Sequence, residues 1–268
     1  MTEAPSRLGD SLPLALSMMY AGLAAGDRDA AAAKLSARVR YAVPAAGPET
    51  APRHQLVGRD AVAEDWHAHA PAFIEHRVAL CMVDGSSCLV EGTTGQPGGE
   101  PLGTFVASAR LDDDGSIARY LSFGCVGARE PIPTDVPESA EPAEVGGALS
   151  RYFGALDEGR FADAAACFSP DVLYSHPPYR HTNRNTEDRA EFRGREALLA
   201  AFVARGRQRF GHRIIRCMQR GPHALLEGVV HDLPNGGTGS FISSLSLDAS
   251  GLIRRYVSFY CEPSVPEL

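Results

Sequence analysis

The side chains best suited to moving protons are His176 and His212, because an imidazole gains and loses a proton near neutral pH. His176 ends the run Val172-Leu173-Tyr174-Ser175-His176 and precedes Pro177. The same pattern occurs earlier in the chain with Val43 before Pro44, and a valine can do no acid/base chemistry. His212 opens a strand-like run, as does its earlier counterpart His76, so a structural role common to both competes with a catalytic one. Tyr179 and His181 follow in Pro177-Pro178-Tyr179-Arg180-His181, where the prolines fix a turn. They are expected at a pocket mouth, as lid or proton donor, with a solvated surface loop as the bland alternative.

Tyr256, Ser258 and Tyr260 alternate onto one face of the last strand. A phenol there suits a pocket wall and could polarise a carbonyl, and a domain seam would use the same face. Glu227 and His231 share a face on another strand. The counterpart of Glu227 is Glu91, and a pair present twice favours a structural or interfacial role; that of His231 is Gly95, which makes His231 a weaker pocket candidate. Catalysis is thus expected from His176, His212, Tyr179 and Tyr256, and substrate contacts from His181, Arg193, Phe202, Glu227, His231 and Tyr260. The four histidines at 176, 181, 212 and 231 match no metal-ligand spacing. There is no P-loop, dinucleotide fingerprint or nucleophile elbow. Neither metal nor cofactor is expected.

These comparisons are possible because the chain is a tandem duplication. Gly103–Cys125 matches Gly239–Cys261 without gaps, with 12 identities in 23 positions at an offset of 136. Ala15–Pro44 matches Ala148–Pro177 with 12 identities in 30 at an offset of 133. A repeat this long is a whole small domain, not a solenoid unit. The expected division is a disordered N-terminus over 1–10, a first domain over 11–128, a linker over 129–147 and a second domain over 148–263. The linker reading rests on four prolines, several Glu and no hydrophobic period.

Within each copy the pattern predicts helices first. Leu12–Ala25 places Leu12, Leu16, Met19, Tyr20 and Leu23 on one face and stops at Gly26. Asp29–Leu35 continues as a short helix, Val39–Val43 alternates like a strand, and Gly58 and Gly194 each open a further helix. Long strands close each copy, in the second at His212–Gln219, Ala224–Asp232, Gly239–Leu247 and Ile253–Cys261. Helices followed by antiparallel strands describe an α+β domain, whose curved sheet around packed helices leaves one open end for a small molecule.

Composition narrows the partners. Net charge is −7, which argues against broad binding to nucleic acid or anionic membrane, and no apolar run reaches spanning length. The N-terminus shows no secretory signal. The six cysteines contain no C-x-x-C pair and read as small buried thiols in a reducing cytoplasm.

Each copy resembles the SnoaL-like branch of the nuclear transport factor 2-like superfamily, the fold of ketosteroid isomerase and scytalone dehydratase. The resemblance is carried by Tyr20-Ala21-Gly22-Leu23-Ala24-Ala25-Gly26-Asp27, Val39-Arg40-Tyr41, Val57-Gly58-Arg59-Asp60-Ala61-Val62 and Gly115-x-Ile117. In the second copy it is carried by Leu156-Asp157-Glu158-Gly159, Phe168-Ser169-Pro170-Asp171-Val172, Gly194-Arg195-Glu196-Ala197-Leu198 and Gly251-Leu252-Ile253. It implies two tandem cone-shaped α+β barrels forming a pseudo-dimer, with a further homodimer left open. The His212 position resembles the pocket histidine of scytalone dehydratase. The tandem also looks like the fused epoxide hydrolase/cyclases of polyether biosynthesis. Their acid/base Asp before a Pro is absent here, since Val43 and His176 stand at that place.

The implied activity is a cofactor-independent cyclase, isomerase or dehydratase acting in the second copy on a small hydrophobic polyketide-type metabolite, as in antibiotic biosynthesis. Epoxide opening, needing a carboxylate pair from Glu191, Glu196 or Glu227, and non-catalytic binding or resistance are the alternatives.

Overall fold

A computed structural model describes residues 8–9, 12–43, 54–69, 73–126, 145–176, 189–234 and 236–261. They form two compact units, one through Val126 and one from Val145 to Cys261. The first runs β1 (Leu8–Gly9), α1 (Leu14–Ala25), α2 (Arg28–Ala32), β2 (Leu35–Val43), β3 (His54–Val57), α3 (Arg59–His69), β4 (Glu75–Asp84), β5 (Ser87–Gly95), β6 (Pro101–Leu111) and β7 (Ile117–Val126). The second repeats this without β1: α4 (Val145–Glu158), α5 (Phe161–Ala166), β8 (Phe168–His176), β9 (Ala190–Arg193), α6 (Arg195–Arg205), β10 (Gly211–Arg220), β11 (His223–His231), β12 (Gly239–Leu247) and β13 (Ile253–Cys261). No helix among the described residues is long and apolar enough to cross a membrane.

Local chemistry explains the helix ends. α1 stops where Gly26 takes the left-handed conformation, and its N–H closes back on the carbonyls of Gly22 and Leu23. α2 starts at Asp27, whose carboxylate accepts the Ala30 N–H at 2.9 Å. α4 begins at Val145, inside the stretch expected to be linker, because Val145, Ala148, Leu149 and Tyr152 already present a buried face.

The strand order is β1-β4-β5-β6-β7-β2-β3 in the first unit and β10-β11-β12-β13-β8-β9 in the second. The sheets are mixed, antiparallel along their hairpins and parallel at a few pairs. Hairpins make β4 to β7 and β10 to β13 antiparallel, but β2 lies parallel to β7 and β8 parallel to β13. The chain returns to these pairs only after a helix and four strands, so the pairing need not be antiparallel. Short strands β3 and β9 extend each sheet beyond that parallel pair.

The duplication is visible in register. Tyr41 pairs with Tyr120 and Tyr174 with Tyr256, while Leu35 pairs with Ile117 and Phe168 with Ile253. The bulge between Val78 and Leu80 recurs between Ile214 and Arg216. In each unit the helices cover one sheet face. In the second, Tyr152, Phe168, Tyr174, Phe202 and Tyr256 are almost wholly buried together. Each such ring contributes about 1.5–3 kcal/mol by leaving water. Cys81, Cys88, Cys167 and Cys261 are buried as expected, but Cys217 is exposed on β10.

Candidate active site of the second unit

The centre of the site is a pairing that joins a helix end to an edge strand. Asp157, in the last turn of α4, accepts the backbone N–H of His212 through Oδ2 at 2.9 Å. Its Oδ1 lies 2.6 Å from Nδ1 of the same histidine. A carboxylate can only accept, so Nδ1 carries the hydrogen and Nε2 is left as the nitrogen that exchanges protons. The imidazole is stacked on Phe153 at 4.8 Å and meets Phe241 and Phe210 edge-on. Its side chain is only 12% exposed. Ring plane, tautomer and position are therefore all fixed.

His212 lines a cavity with His176, Arg205, Tyr256, Ser258 and Tyr260, closed behind by Tyr152, Phe153, Tyr174 and Phe241. His176, half-buried at the end of β8, lies nearly parallel to Tyr174 with ring centres 6.1 Å apart. Tyr256 is stacked on Tyr174 at 5.2 Å, and Tyr174 Oη is 3.2 Å from Tyr152 Oη. Ser243 Oγ sits 3.0 Å from Tyr256 Oη and 2.9 Å from Ser258 Oγ, tying the last strand's hydroxyls together. Tyr260 lies across Gly239, where a Cβ would come within 2.3 Å of its ring. Only a glycine permits that approach.

Among the described residues, the cavity at this end of the second unit is smaller than the roomy open end expected from the sequence. The cavity measures about 20 Å³, room for about one water. Aromatic side chains fill the space that smaller ones would have left open. A larger cleft, about 420 Å³, lies in the first unit between α1 and β4.

Four residues expected at the site thus come together: His176, His212, Tyr256 and Tyr260. Four others do not line it. Phe202 is fully buried behind the tyrosines, edge-on to Tyr174. Arg193 is exposed on β9, because Phe192 takes the inward position of that alternation. Glu227 is on the face of β11 opposite the core residues Leu226 and Val230, buried and paired with Arg216 at 3.1 Å. His231 shares that outward parity, packs over Gly211 and meets Asp232 at 2.6 Å. Tyr179 and His181 lie outside the described residues.

Sequence reading missed Asp157 as a site residue. The available signal was the copy-to-copy comparison: Asp157 aligns with Ala24. The first unit shows what the imidazole does without it. His76 is stacked on Tyr20 at 4.3 Å, and burial pushes it down to about 4 against a smaller opposing pull from the Ile74 carbonyl. Around it the phenols of Tyr20, Tyr41 and Tyr120 are all pushed up, chiefly by burial, Tyr120 to about 12. Tyr20 Oη and Tyr120 Oη are 3.0 Å apart, and Trp66 donates to Tyr41 Oη at 3.0 Å. With Val43 in place of His176, this interior holds no group that titrates near neutrality among its described residues. No cluster of three or more His, Cys, Asp or Glu among the described residues could hold a metal ion.

With two helix-first units, mixed sheets in matching register and an inward-facing imidazole, the class is that of small α+β cone folds. The SnoaL-like domain family profile matches residues 16–120 and 149–256, so the chain belongs to the SnoaL-like family, carried twice. No curated protein matches it significantly. Among solved structures it is similar to a protein from Kribbella flavida provisionally described as a ketosteroid isomerase, at 19% identity and TM-score 0.37, covering 48% of this chain and 86% of that one. It is also similar to an LEH-like epoxide hydrolase from M. tuberculosis, at 18% identity and TM-score 0.36, covering 45% and 84%. An NTF-2 like protein of unknown function from Burkholderia xenovorans matches at 17% identity and TM-score 0.36, covering 46% and 87%.

Proposed function

We propose that the second unit is a cofactor-independent proton-transfer catalyst, a cyclase, isomerase or dehydratase, acting on a small hydrophobic metabolite of polyketide type. The observation that carries this reading is the Asp157–His212 pair facing a cavity that also holds His176, Tyr256 and Ser258. In this reading Nε2 of His212 takes a proton from carbon beside a carbonyl, and Asp157 holds the resulting imidazolium in place. Tyr256, supported by Ser243, donates to the oxygen where charge develops. His176 returns the proton on the other side of the substrate.

A cavity for one water does not hold such a substrate, so entry requires side chains to move. Tyr260 and Arg205, half-buried where the rest of the lining is mostly buried, are the ones to move. Epoxide opening is the weaker reading: Glu191 and Glu196 are exposed, Glu227 is paired with Arg216, and no Asp or Glu is among the cavity's described lining residues.

The test does not need the natural substrate. The protein is incubated in D2O with a panel of aromatic β-diketones, and deuterium uptake at the acidic carbon is read by mass spectrometry. Wild type should exchange at least ~100-fold faster than His212→Ala, the lower end of a general base's contribution. Equal rates in the two proteins would remove the proposal.

A further inference from the structure

The two copies differ sharply in charge along the stretch that leads from α6 into β10. Residues 197–226 of the second copy hold six arginines, Arg205, Arg207, Arg209, Arg213, Arg216 and Arg220, and no Asp or Glu. The matching residues 61–90 of the first copy hold Arg77 alone against Glu64, Asp65, Glu75 and Asp84. The same stretch is therefore +6 in one copy and −3 in the other, in a chain whose net charge is −7. In the second copy it also supplies two of the cavity's walls, Arg205 and His212.

Arg205 is the last residue of α6, where the helix dipole favours a cation. Its guanidinium carbon lies 5.8 Å from the centre of the buried Phe202 ring, within reach of a cation–π attraction. The counterpart of Arg205, His69, is instead exposed and meets Asp65 at 3.1 Å. Among the cavity's described lining residues, His176, Arg205 and His212 are able to carry positive charge and none is Asp or Glu. Asp157 is engaged by His212 behind the wall, and Glu227 by Arg216. Arg207, Arg209 and Arg213 are exposed on the loop after α6 and the start of β10, and Arg207 donates to the Asp157 carbonyl at 3.2 Å. A cleft with low-dielectric aromatic walls and charge of one sign concentrates molecules of the other.

Taking that cavity as the substrate site proposed above, we infer that its substrate carries a carboxylate, received at the mouth by Arg205. A guanidinium presents two parallel N–H donors that match the two oxygens of a carboxylate. The exposed arginines beside it raise the rate of capture and do not hold the bound molecule. With its acid kept at Arg205, the substrate is oriented so that its carbonyl part reaches His212 and Tyr256. The first copy, with the opposite charge over the same stretch, makes no such demand.

Calorimetric titration of the full chain tests this with 4-(3-oxobutanoyl)benzoate, an aromatic β-diketone with a ring carboxylate, and its methyl ester. The acid should bind at least ~10-fold tighter than the ester, the lower end for hydrogen bonds to a charged group. Arg205→Gln should erase that preference, and Arg205→Lys, which keeps the charge without the fork, should cut it several-fold. Arg220→Gln, about 26 Å along β10 from His212, should leave it intact. Should Arg205→Gln fail to fold, Arg205→Lys decides the matter. Equal affinity for acid and ester in the wild type, or a preference unchanged in either Arg205 variant, would overturn the proposal. Binding is read without turnover, so a loss of His212-dependent deuterium exchange strikes the proton-transfer reading and not this one.

Discussion

Asp157 holds His212 by two hydrogen bonds at once, one to the main chain and one to the ring, across 55 residues of sequence. The carboxylate sits in the last turn of α4, where the helix dipole disfavours negative charge. Both bonds offset that cost, and both disappear if the acid is removed.

Asp157→Ala should accordingly lower unfolding stability by about 1–3 kcal/mol, the range for hydrogen bonds to a charged group at a partly exposed place. Urea denaturation measures it. Asp157→Asn keeps the shape and should recover part of the stability, while deuterium exchange on β-diketones stays depressed because the amide no longer stabilises an imidazolium.

The first unit should be sensitive to mild acid through His76. Its ordinary value of 6.5 falls to about 4 on folding, so between these values the unfolded chain binds more protons than the folded one. Stability is full above pH 6.5 and is lost as pH drops through 4, by about 3 kcal/mol in all. Measured against His76→Phe over this window, the wild-type curve should fall more steeply; parallel curves would contradict the assignment.

Two glycines facing aromatic rings should respond unequally to alanine. At Gly228 the added Cβ meets Phe241 at 2.3 Å and the Arg213 carbonyl at 2.8 Å, so backbone must shift. At Gly239 its three nearest atoms all belong to the far end of the Tyr260 ring, which can swing aside. Thermal melting should show Gly228→Ala costing about 2–3 kcal/mol and Gly239→Ala distinctly less.

Glu227, displaced from the site by strand parity, should behave as a structural residue. Arg216→Met leaves a carboxylate that is 1% exposed without this partner, and should lower stability by about 3 kcal/mol. Deuterium exchange per folded molecule should stay at the wild-type level.

Much of this molecule was legible before any coordinates. The offsets of 133 and 136 translate directly into the paired tyrosines, Tyr41 with Tyr120 and Tyr174 with Tyr256. Period-2 alternation on β13 brought Tyr256 and Tyr260 to the cavity. What was hidden depended on distance or on parity. Asp157 meets its histidine only through the fold, and it looked like an ordinary helix end in Leu156-Asp157-Glu158-Gly159. Arg193, Glu227 and His231 have suitable chemistry but sit one step out of phase with the inward positions. Cavity volume was invisible too, because it depends on how far each aromatic ring reaches, not on where its Cα lies.

Ser243 has one hydrogen and two oxygen neighbours, Tyr256 and Ser258. If it gives that hydrogen to one, it can only receive from the other, so this row of hydroxyls has two senses of polarity. Reversing the sense requires three O–H rotors to turn while every heavy atom stays still. The first copy, with Ala107 at the middle position, has no such reversible row.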